Sequence, residues 1–289
     1  MMMKVKEDRE VNPIGIMQGR LSPPAPGRLQ TFPWSSWKAE FLRARECGFD
    51  SIEWIFESER CEENPIWRND GVNDIRRQVL ETGVQVRSLC ADYFMDHPFF
   101  RVNKAQCMQS VEVLKQLIIR AAHVGIKTIL LPVLEQAEIN IPSEKEQLIE
   151  SLTDPLHLSG ELGISLGLET ELPAWEYRAL VELGSHPALA AYYDMGNSIA
   201  KGYDIAADVC VLGPYLHGVH VKDRKRGGPS VLLGQGDADF AAFFCALSEV
   251  GYTGPLILQT AFGDDYMRIA RTHREFVESI IQTINDRKA

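Results

Sequence analysis

Short apolar segments recur along the chain, and each is followed by a stretch in which apolar residues return every three or four positions. Continuously apolar segments are typical of strands buried in a parallel sheet, and the helical period is typical of amphipathic helices. In the stretch 104–124, for example, Leu114, Leu117 and Ile118 fall on one helical face. The eight apolar segments are residues 13–18, 51–56, 84–90, 126–133, 164–169, 189–194, 216–221 and 255–260.

Glycines precede most of these segments. Glycine is the residue that most readily ends a helix in the left-handed conformation, so each one predicts a turn from a helix into the next strand. A repeated unit of strand, helix and glycine therefore runs through the chain. The glycines are Gly48, Gly83, Gly125, Gly163, Gly184, Gly213 and Gly251.

Eight strands alternating with helices within 289 residues predict a single (β/α)8 TIM barrel. The alternative is a doubly wound parallel sheet, which has edge strands and usually fewer repeats. No Gly-rich phosphate-binding fingerprint follows any of the segments, and this favours the barrel. We expect the barrel to span residues 13–289, behind an N-terminal extension of residues 1–12.

Composition narrows the function classes. Lys and Arg number 30 against 40 Asp and Glu, which gives a net charge of -10. Such a chain repels phosphate backbones at long range, so we expect no nucleic-acid partner. Residues 1–12 lack the apolar core of a signal peptide and no segment reaches the length of a membrane span, so we expect a cytoplasmic protein without a membrane partner. The six cysteines form no CxxC pair and are expected to be free thiols.

Three of the connections that lead from a strand into a helix are long, namely 19–34, 57–72 and 92–103. In TIM barrels these connections gather at the carboxyl ends of the strands, where the active site is built. The opposite connections, from helix to strand, are short. We therefore expect the functional site on the face that carries the long loops.

Polar residues stand at or just beyond the end of every predicted strand. In a barrel these positions converge on one axis, so carboxylates beside a histidine repel one another unless a cation lies among them. Their ligand types suit one divalent ion: Mn²⁺, Zn²⁺, Co²⁺ or Mg²⁺. Any one of them alone is more often a solvated strand end or a helix cap, and the coincidence on neighbouring strands carries the interpretation. The ring comprises Gln18, Glu53, Asp92, Glu135, Glu169, Asp194, His220 and Gln259.

The segments around this ring resemble the xylose isomerase-like TIM-barrel superfamily, and most of all its ketose and ketose-phosphate 3-epimerases. The resemblance covers nearly the whole chain. It implies a sugar or sugar-phosphate isomerase or epimerase with one divalent metal ion, held by Glu, Asp, His and Glu at strand ends. In those epimerases the two glutamates exchange a proton on opposite faces of an enediolate. The motifs are LGLET (166–170), YYDMGN (192–197), GVHVKD (218–223), LLGQGDADF (232–240) and LILQT (256–260).

By this resemblance the metal ligands are Glu169, Asp194, His220 and Gln259, with Glu169 as the catalytic base. Gln259 stands where the epimerases have their second glutamate. A carboxamide oxygen can bind a metal ion, but the group has no useful basicity and cannot take a proton. The sequence therefore favours an isomerase, which can work with one base. Glu135 is the second catalytic candidate.

The other polar residues at this end of the barrel are expected to bind substrate. Asn197 either contacts the substrate or caps the next helix. Lys222 and Arg224 belong to the basic segment 222–226, which either binds the phosphate of a sugar phosphate or is a solvated loop. The expected substrate contacts are Gln18, Glu53, Asp92, Asn197, Lys222 and Arg224.

Other functions stay open. A metal-dependent lyase similar to inosose dehydratase uses the same enolate chemistry, and Gln259 also fits a sugar- or metal-binding protein that has lost epimerase activity. A phosphodiesterase similar to endonuclease IV is disfavoured, because that enzyme needs a His-rich zinc site and has a histidine where Asn197 stands. The expected partner is a small sugar or sugar phosphate, and a homo-oligomer is left open.

Overall fold

The computed structural model describes residues 12–24, 27–28 and 30–288. Its strands are β1 (Ile14–Met17), β2 (Ser51–Ile55), β3 (Gln85–Cys90), β4 (Thr128–Val133), β5 (Ser165–Thr170), β6 (Leu189–Asp194), β7 (Leu216–Val221), β8 (Asp223–Arg224), β9 (Ser230–Val231) and β10 (Leu256–Leu258). Eight of them are parallel and close into a barrel in the order β1-β10-β7-β6-β5-β4-β3-β2, while β8 and β9 pair as a separate antiparallel ribbon. This confirms the TIM barrel and excludes the doubly wound sheet, which leaves edge strands open.

Helices lie between the strands, and the longer ones pack apolar faces on the barrel. Helix α4 begins with a capping box in which Asn103 and Gln106 bond each other's backbone N–H, and it buries Leu114, Leu117 and Ile118, as its periodicity predicts. The helices are α1 (Trp37–Cys47), α2 (Asn69–Thr82), α3 (Tyr93–Asp96), α4 (Lys104–Val124), α5 (Pro142–Leu162), α6 (Ala174–Leu183), α7 (Met195–Lys201), α8 (Ile205–Leu212), α9 (Phe240–Glu249) and α10 (Tyr266–Lys288).

Glycine is required before the strands for two different structural reasons. The left-handed helix end predicted for these positions is found at Gly48, Gly83, Gly125 and Gly163. Gly184 and Gly213 are right-handed instead, so the prediction was wrong there. A β-carbon on Gly184 would lie 2.3 Å from Leu189 Cδ2, and one on Gly213 would lie 2.8 Å from Val250 Cβ. Close packing, rather than backbone conformation, requires glycine at these two positions.

The N-terminal extension proposed for residues 1–12 lies outside the described residues except for Asn12. Asn12 Nδ2 donates hydrogen bonds to the carbonyls of Tyr252 and Gly254, both at 2.9 Å. The chain is therefore attached to the barrel from Asn12 onward, two residues before β1 begins.

Two expectations from composition concern thiols and membranes. All six cysteines are free, as the absence of a CxxC pair predicts. Within the described ranges, no helix combines the length and the apolar character needed to cross a membrane.

The buried side chain of Glu40, on α1, holds the loop that follows β1. Its Oε1 atom accepts hydrogen bonds from the backbone N–H of Gly19 (3.0 Å) and Leu21 (3.3 Å) and from Ser22 Oγ (2.6 Å). Side chain–backbone bonds of this kind replace the ladder bonds that a loop lacks. They fix the position of Arg20 at the mouth of the barrel.

We expect the free energy of unfolding to fall as the pH rises from about 5 to about 7 because of Glu40. Burial raises the pKa of this carboxyl from 4.5 to about 7, although Ser22, the backbone N–H groups and Arg43 oppose the shift. Between these pH values the folded chain keeps a proton that the unfolded chain has released. Complete deprotonation then costs up to about 3 kcal/mol of stability.

Denaturant unfolding of wild type and Glu40→Gln at about pH 5 and about pH 8 measures this effect. The variant, which cannot ionise, is expected to lose that part of the pH dependence. The same fall in stability in both proteins would show that another group is responsible.

Candidate active site

A cavity of about 860 Å³ opens at the carboxyl ends of the barrel strands. TIM barrels carry their active sites at this end, and the volume suits a small molecule. All three long loops contribute to its wall, through residues such as Arg20, Glu57 and Asp92. Of the residues expected at the site, the wall includes Asp92, Glu135, Glu169, Asn197, Lys222, Arg224 and Gln259.

Three buried side chains meet at the ends of neighbouring strands: Glu169 on β5, Asp194 on β6 and His220 on β7. Asp194 and His220 are direct partners in the register of β6 and β7. His220 Nδ1 lies 3.8 Å from Asp194 Oδ2 and 4.0 Å from Glu169 Oε1. The potential ligand atoms all lie within 4.8 Å of one another, and Nδ1 has no hydrogen-bond partner. A buried, unpartnered imidazole nitrogen that faces two carboxylates fits a divalent cation.

Glu53 orients His220 from inside the barrel. His220 Nε2 lies 2.6 Å from Glu53 Oε1, while Ser88 Oγ, at 2.5 Å, and the Tyr192 hydroxyl donate to Oε2 of the same carboxylate. Because a carboxylate only accepts, Nε2 carries the proton toward it, and Nδ1 is the nitrogen available to a metal ion. A carboxylate behind a metal-binding histidine is a common arrangement in metalloenzymes.

The structure corrects the expected place of Glu53. The sequence places it at a strand end and against the substrate, but it lies in the middle of β2 with an exposed fraction of 0%. Its carboxylate bonds to Ser88, Tyr192 and His220, so it points into the barrel interior, and Glu53 is not part of the cavity wall. Glu53 therefore positions His220 instead of binding substrate.

Two glycines of the motifs make room for large side chains of the site. A β-carbon on Gly218 would lie 2.2 Å from Cε2 of Tyr192, whose hydroxyl reaches Glu53. A β-carbon on Gly196 would lie 2.7 Å from Cγ of Lys222. Any other residue at these positions would displace the aromatic ring or the ammonium group.

The charges of the cluster are strongly coupled. Burial raises the pKa of Glu169 to about 8, reinforced by Asp194 and opposed by His220 and Lys222. Burial acts in the same direction on Asp194, but Lys222 and His220 outweigh it and hold the pKa of that carboxyl well below its usual range. Burial lowers the pKa of His220, whereas Glu53 and Asp194 raise it, to about 10. In the metal-free site, the protonated His220 therefore supplies the positive charge that a bound divalent cation would supply in its place.

Lys222 links Asp194 to Gln259. Its Nζ lies 3.2 Å from Asp194 Oδ2 and 2.8 Å from Gln259 Oε1. The amide nitrogen of Gln259 donates to Gln30 Oε1 at 2.9 Å, and Gln30 Nε2 donates to Asp92 Oδ2 at 2.6 Å. Gln259 thus presents its oxygen toward Asp194, as ligation would require, with the ammonium group between the two.

Asn197 supports the base candidate instead of capping its helix. Asp194 caps α7, because its Oδ1 accepts hydrogen bonds from the backbone N–H of Gly196 and Asn197. The Asn197 side chain donates from Nδ2 to Glu169 Oε1 at 3.1 Å and accepts at Oδ1 from Arg224 Nη1 at 3.3 Å. Of the two roles open from the sequence, the structure excludes the capping role.

The basic segment 222–226 is largely bonded within itself and to the following loop. Arg224 donates from Nε and Nη2 to the carbonyl of Gly228, at 3.1 and 2.9 Å. Lys225 pairs with Asp237 at 3.4 Å, and the backbone N–H of Arg226 donates to the same carboxylate. Lys222 and Arg224 remain on the cavity wall.

Asp223 fixes the loop 232–238 beside the cavity. Its Oδ2 accepts from the backbone N–H of Gly234 (2.9 Å) and Gly236 (2.7 Å), and its Oδ1 from that of Ala238 (3.3 Å). A β-carbon on Gly236 would lie 1.9 Å from Asp223 Oδ1. The carboxylate thus explains why the motif that follows it has glycine at position 236.

The remaining members of the ring lie at different depths. Gln18 is buried outside the cavity wall and accepts from the backbone N–H of Ile55 at 2.9 Å. Asp92 lies two residues beyond β3, where burial raises its pKa to about 6. The sequence places Glu135 at a strand end, but β4 ends at Val133. Glu135 is exposed on the rim, with φ of 51°, so it does not join the buried cluster.

The sequence did not single out two residues that complete the site. Tyr192 precedes Asp194 by two positions on β6. Because side chains alternate along a strand, both point into the barrel, and Tyr192 could have been predicted from Asp194. Arg20 lies in the loop after β1, where no periodicity applies. Only the structure shows that it lines the cavity.

Comparison with known proteins gives consistent results. A family profile described as xylose isomerase-like TIM barrel matches residues 41–280. The L-ribulose-5-phosphate 3-epimerase UlaE of Salmonella heidelberg (strain SL476) is 26% identical over 231 residues, covering 77% of this chain and 81% of that protein. Its counterpart in Escherichia coli (strain ATCC 8739) is 25% identical with the same coverage. These names confirm the expected isomerase class and leave the reaction itself open.

Solved structures share the fold. An L-ribulose 3-epimerase superposes with a TM-score of 0.78 at 18% identity, over 96% of this chain and 97% of that one. The 3-keto-D-glucoside 4-epimerase YcjR from E. coli gives a TM-score of 0.73 at 16% identity, over 93% and 99% of the two chains. At such identities the likeness concerns the barrel and its connections.

Proposed function

Because the chain belongs to the xylose isomerase-like TIM barrel family, we propose that it is a divalent-metal-dependent isomerase or epimerase of a ketose or ketose phosphate. The reaction passes through an enediolate. The observation that carries the proposal is the cluster of Glu169, Asp194 and His220, in which Nδ1 of the histidine is buried without a partner. The names of the curated relatives support a ketose phosphate as the substrate class.

Glu169, Asp194 and His220 would hold the metal ion, and Gln259 would be its fourth ligand. Mn²⁺, Zn²⁺, Co²⁺ and Mg²⁺ all accept such oxygen and nitrogen ligands. When bound, the ion polarises the substrate carbonyl and stabilises the charge that develops on its oxygen. Lys222 must release the Gln259 oxygen for this amide to ligate, since its ammonium group holds that atom at 2.8 Å.

Glu169 is the base of the proposed reaction. Asn197 holds its Oε1 atom, so Oε2 remains free to take a proton from a substrate carbon. Burial favours the protonated form of this carboxyl, so a carboxylate at this position takes up a proton more readily than a solvent-exposed glutamate does.

The second proton-transfer group decides between isomerase and epimerase. An isomerisation on one face of the enediolate needs Glu169 alone, whereas an epimerisation needs a group on the opposite face. Gln259 cannot fill that role. Asp92 and Glu135 are the candidates on the cavity wall, and Asp92, with a pKa of about 6, changes its protonation state near neutral pH. We therefore rank isomerisation, which needs only Glu169, above epimerisation.

Incubation with ketoses and ketose phosphates in D₂O tests the proposal. We expect solvent deuterium to enter the substrate next to its carbonyl, and we expect EDTA to stop the exchange and added Mn²⁺, Zn²⁺, Co²⁺ or Mg²⁺ to restore it. The apo protein should also gain thermal stability when metal is added, because only the folded state offers the site. Exchange that persists after complete metal removal would contradict the metal-dependent reaction.

The same assay on Gln259→Glu separates the other functions. Epimerase product that appears only in the variant would indicate a sugar- or metal-binding protein that has lost catalysis. Loss of water from a keto-polyol substrate by the wild type would indicate the lyase. We expect wild-type exchange with an isomerised product.

A further inference from the structure

We propose that Arg20 binds the phosphate group of the substrate and so selects a ketose phosphate over the free ketose. This inference rests on the proposed function and names its substrate class. Arg20 follows β1, is 5% exposed and lines the cavity. Its Nε donates to the carbonyl of Thr260 at 2.9 Å, and its guanidinium carbon lies 4.8 Å from the centre of the Phe262 ring. Its Nη1 has no hydrogen-bond partner.

Arg20 carries a positive charge that no carboxylate of the described chain neutralises by direct contact. Burial lowers its pKa to about 10, so the group stays protonated at neutral pH. The two acids that act on it most, Glu40 and Asp92, are engaged elsewhere. Glu40 binds the loop backbone and Ser22, and Asp92 binds Gln30. A buried cation without a partner is costly, and an anionic ligand would remove that cost.

The guanidinium group is held ready for such a ligand. The Thr260 carbonyl and the Phe262 ring fix its plane, and Nη1 is buried without a hydrogen-bond partner behind the part of the side chain that lines the cavity. A planar fork of N–H donors matches two oxygens of a phosphate, and this pairing is among the strongest hydrogen-bonded contacts in proteins.

The position of Arg20 fits the far end of the substrate. In the strand order of the barrel, β1 stands directly opposite β5, which carries Glu169. The cavity that separates them has walls from both sides. A ketose that places its carbonyl beside Glu169, Asp194 and His220 extends its other end toward Arg20. In a ketose phosphate that end is the phosphate monoester.

The basic segment 222–226 is the rival phosphate site, and its bonds make it less suited. Arg224 donates hydrogen bonds from Nε and Nη2 to the carbonyl of Gly228 and from Nη1 to Asn197 Oδ1. Lys225 pairs with Asp237. Binding a phosphate there would break bonds that already satisfy these two cations, whereas Nη1 of Arg20 has no hydrogen bond to break.

Two measurements on the full chain test the assignment. The first is kcat/KM for deuterium exchange with a ketopentose and with its 5-phosphate. We expect wild type to favour the phosphate, and Arg20→Gln to lower kcat/KM for the phosphate by about 10- to 100-fold while the free ketose changes by no more than about threefold. Arg20→Lys, which keeps the charge but lacks the fork, should fall between them.

The second measurement is calorimetric binding of inorganic phosphate to the metal-free protein, which needs no catalysis. Wild type is expected to bind phosphate, and Arg20→Gln is expected to lose this binding without unfolding at a lower temperature. Arg268→Gln removes a surface arginine that is paired with Asp265 and serves as the charge control, with binding unchanged.

Three results would overturn the assignment: phosphate binding that survives in Arg20→Gln, equal losses for both substrates, or loss of phosphate binding in Lys225→Gln in its place. Absence of exchange with every ketose would instead refute the proposed function. The phosphate titration would still decide the role of Arg20.

Discussion

Glu169→Gln is expected to lower the rate of deuterium exchange by about 1,000-fold, because it removes the proposed base. The amide keeps one oxygen for the hydrogen bond from Asn197 and for a metal ion, so the shape of the site is preserved. Metal binding, followed by thermal shift, should persist in the variant with reduced affinity. The effect should therefore fall on kcat far more than on KM.

Glu171→Gln is the matched control for this substitution. Glu171 also lies on the cavity wall, but its carboxylate pairs with Lys201 at 2.7 Å and does not belong to the cluster of Glu169, Asp194 and His220. We expect its exchange rate to stay within about threefold of wild type. A Glu169→Gln protein that is equally active would move the base to Asp92 or Glu135.

Glu53→Gln is expected to weaken metal binding by about 10- to 100-fold, although Glu53 touches neither the cavity nor the metal position. An amide carries no charge to stabilise the His220 proton at Nε2 and can itself donate, so the histidine no longer has one preferred tautomer. Titration with Mn²⁺ or Zn²⁺ against a competing chelator measures the change.

Glu40→Gln provides the comparison for Glu53→Gln, because Glu40 is an equally buried glutamate that binds only the loop after β1. Its metal affinity should equal that of wild type. Equal weakening in both variants would mean that general loss of stability, and not the orientation of His220, explains the result.

The barrel was predictable because each strand is apolar along its whole length and each is followed by a helical period. The same property gives no information on how deep in the barrel each polar residue of a strand lies. In a parallel barrel both faces of a strand are buried, so Glu53 inside an apolar run gives no sign of how deep it lies. Glu169, Asp194 and His220 were predictable because they close their strands, or nearly so, on neighbouring positions of the barrel.

Residues in the connections were less predictable. Glu135 follows β4 closely in sequence, yet one turn of 3₁₀ helix carries it to the rim. Arg20 lies in a loop whose course is set by hydrogen bonds to Glu40, a residue of the following helix. Contacts between residues about twenty positions apart leave no periodic signal in the sequence.

The bonds of Asp223 separate the parts of the site that must stay constant from those that can vary. The loop 232–238 is held through its backbone, so the carboxylate itself dictates only Gly236, while a φ of 83° favours glycine at Gly234. Pro229 and Ser230 reach the cavity wall from the ribbon just before this loop. Substitutions there can reshape the entrance without moving Lys222. Evolution, or a protein engineer, can thus alter which small molecule enters this barrel while the buried cluster of Glu169, Asp194 and His220 beneath it stays intact.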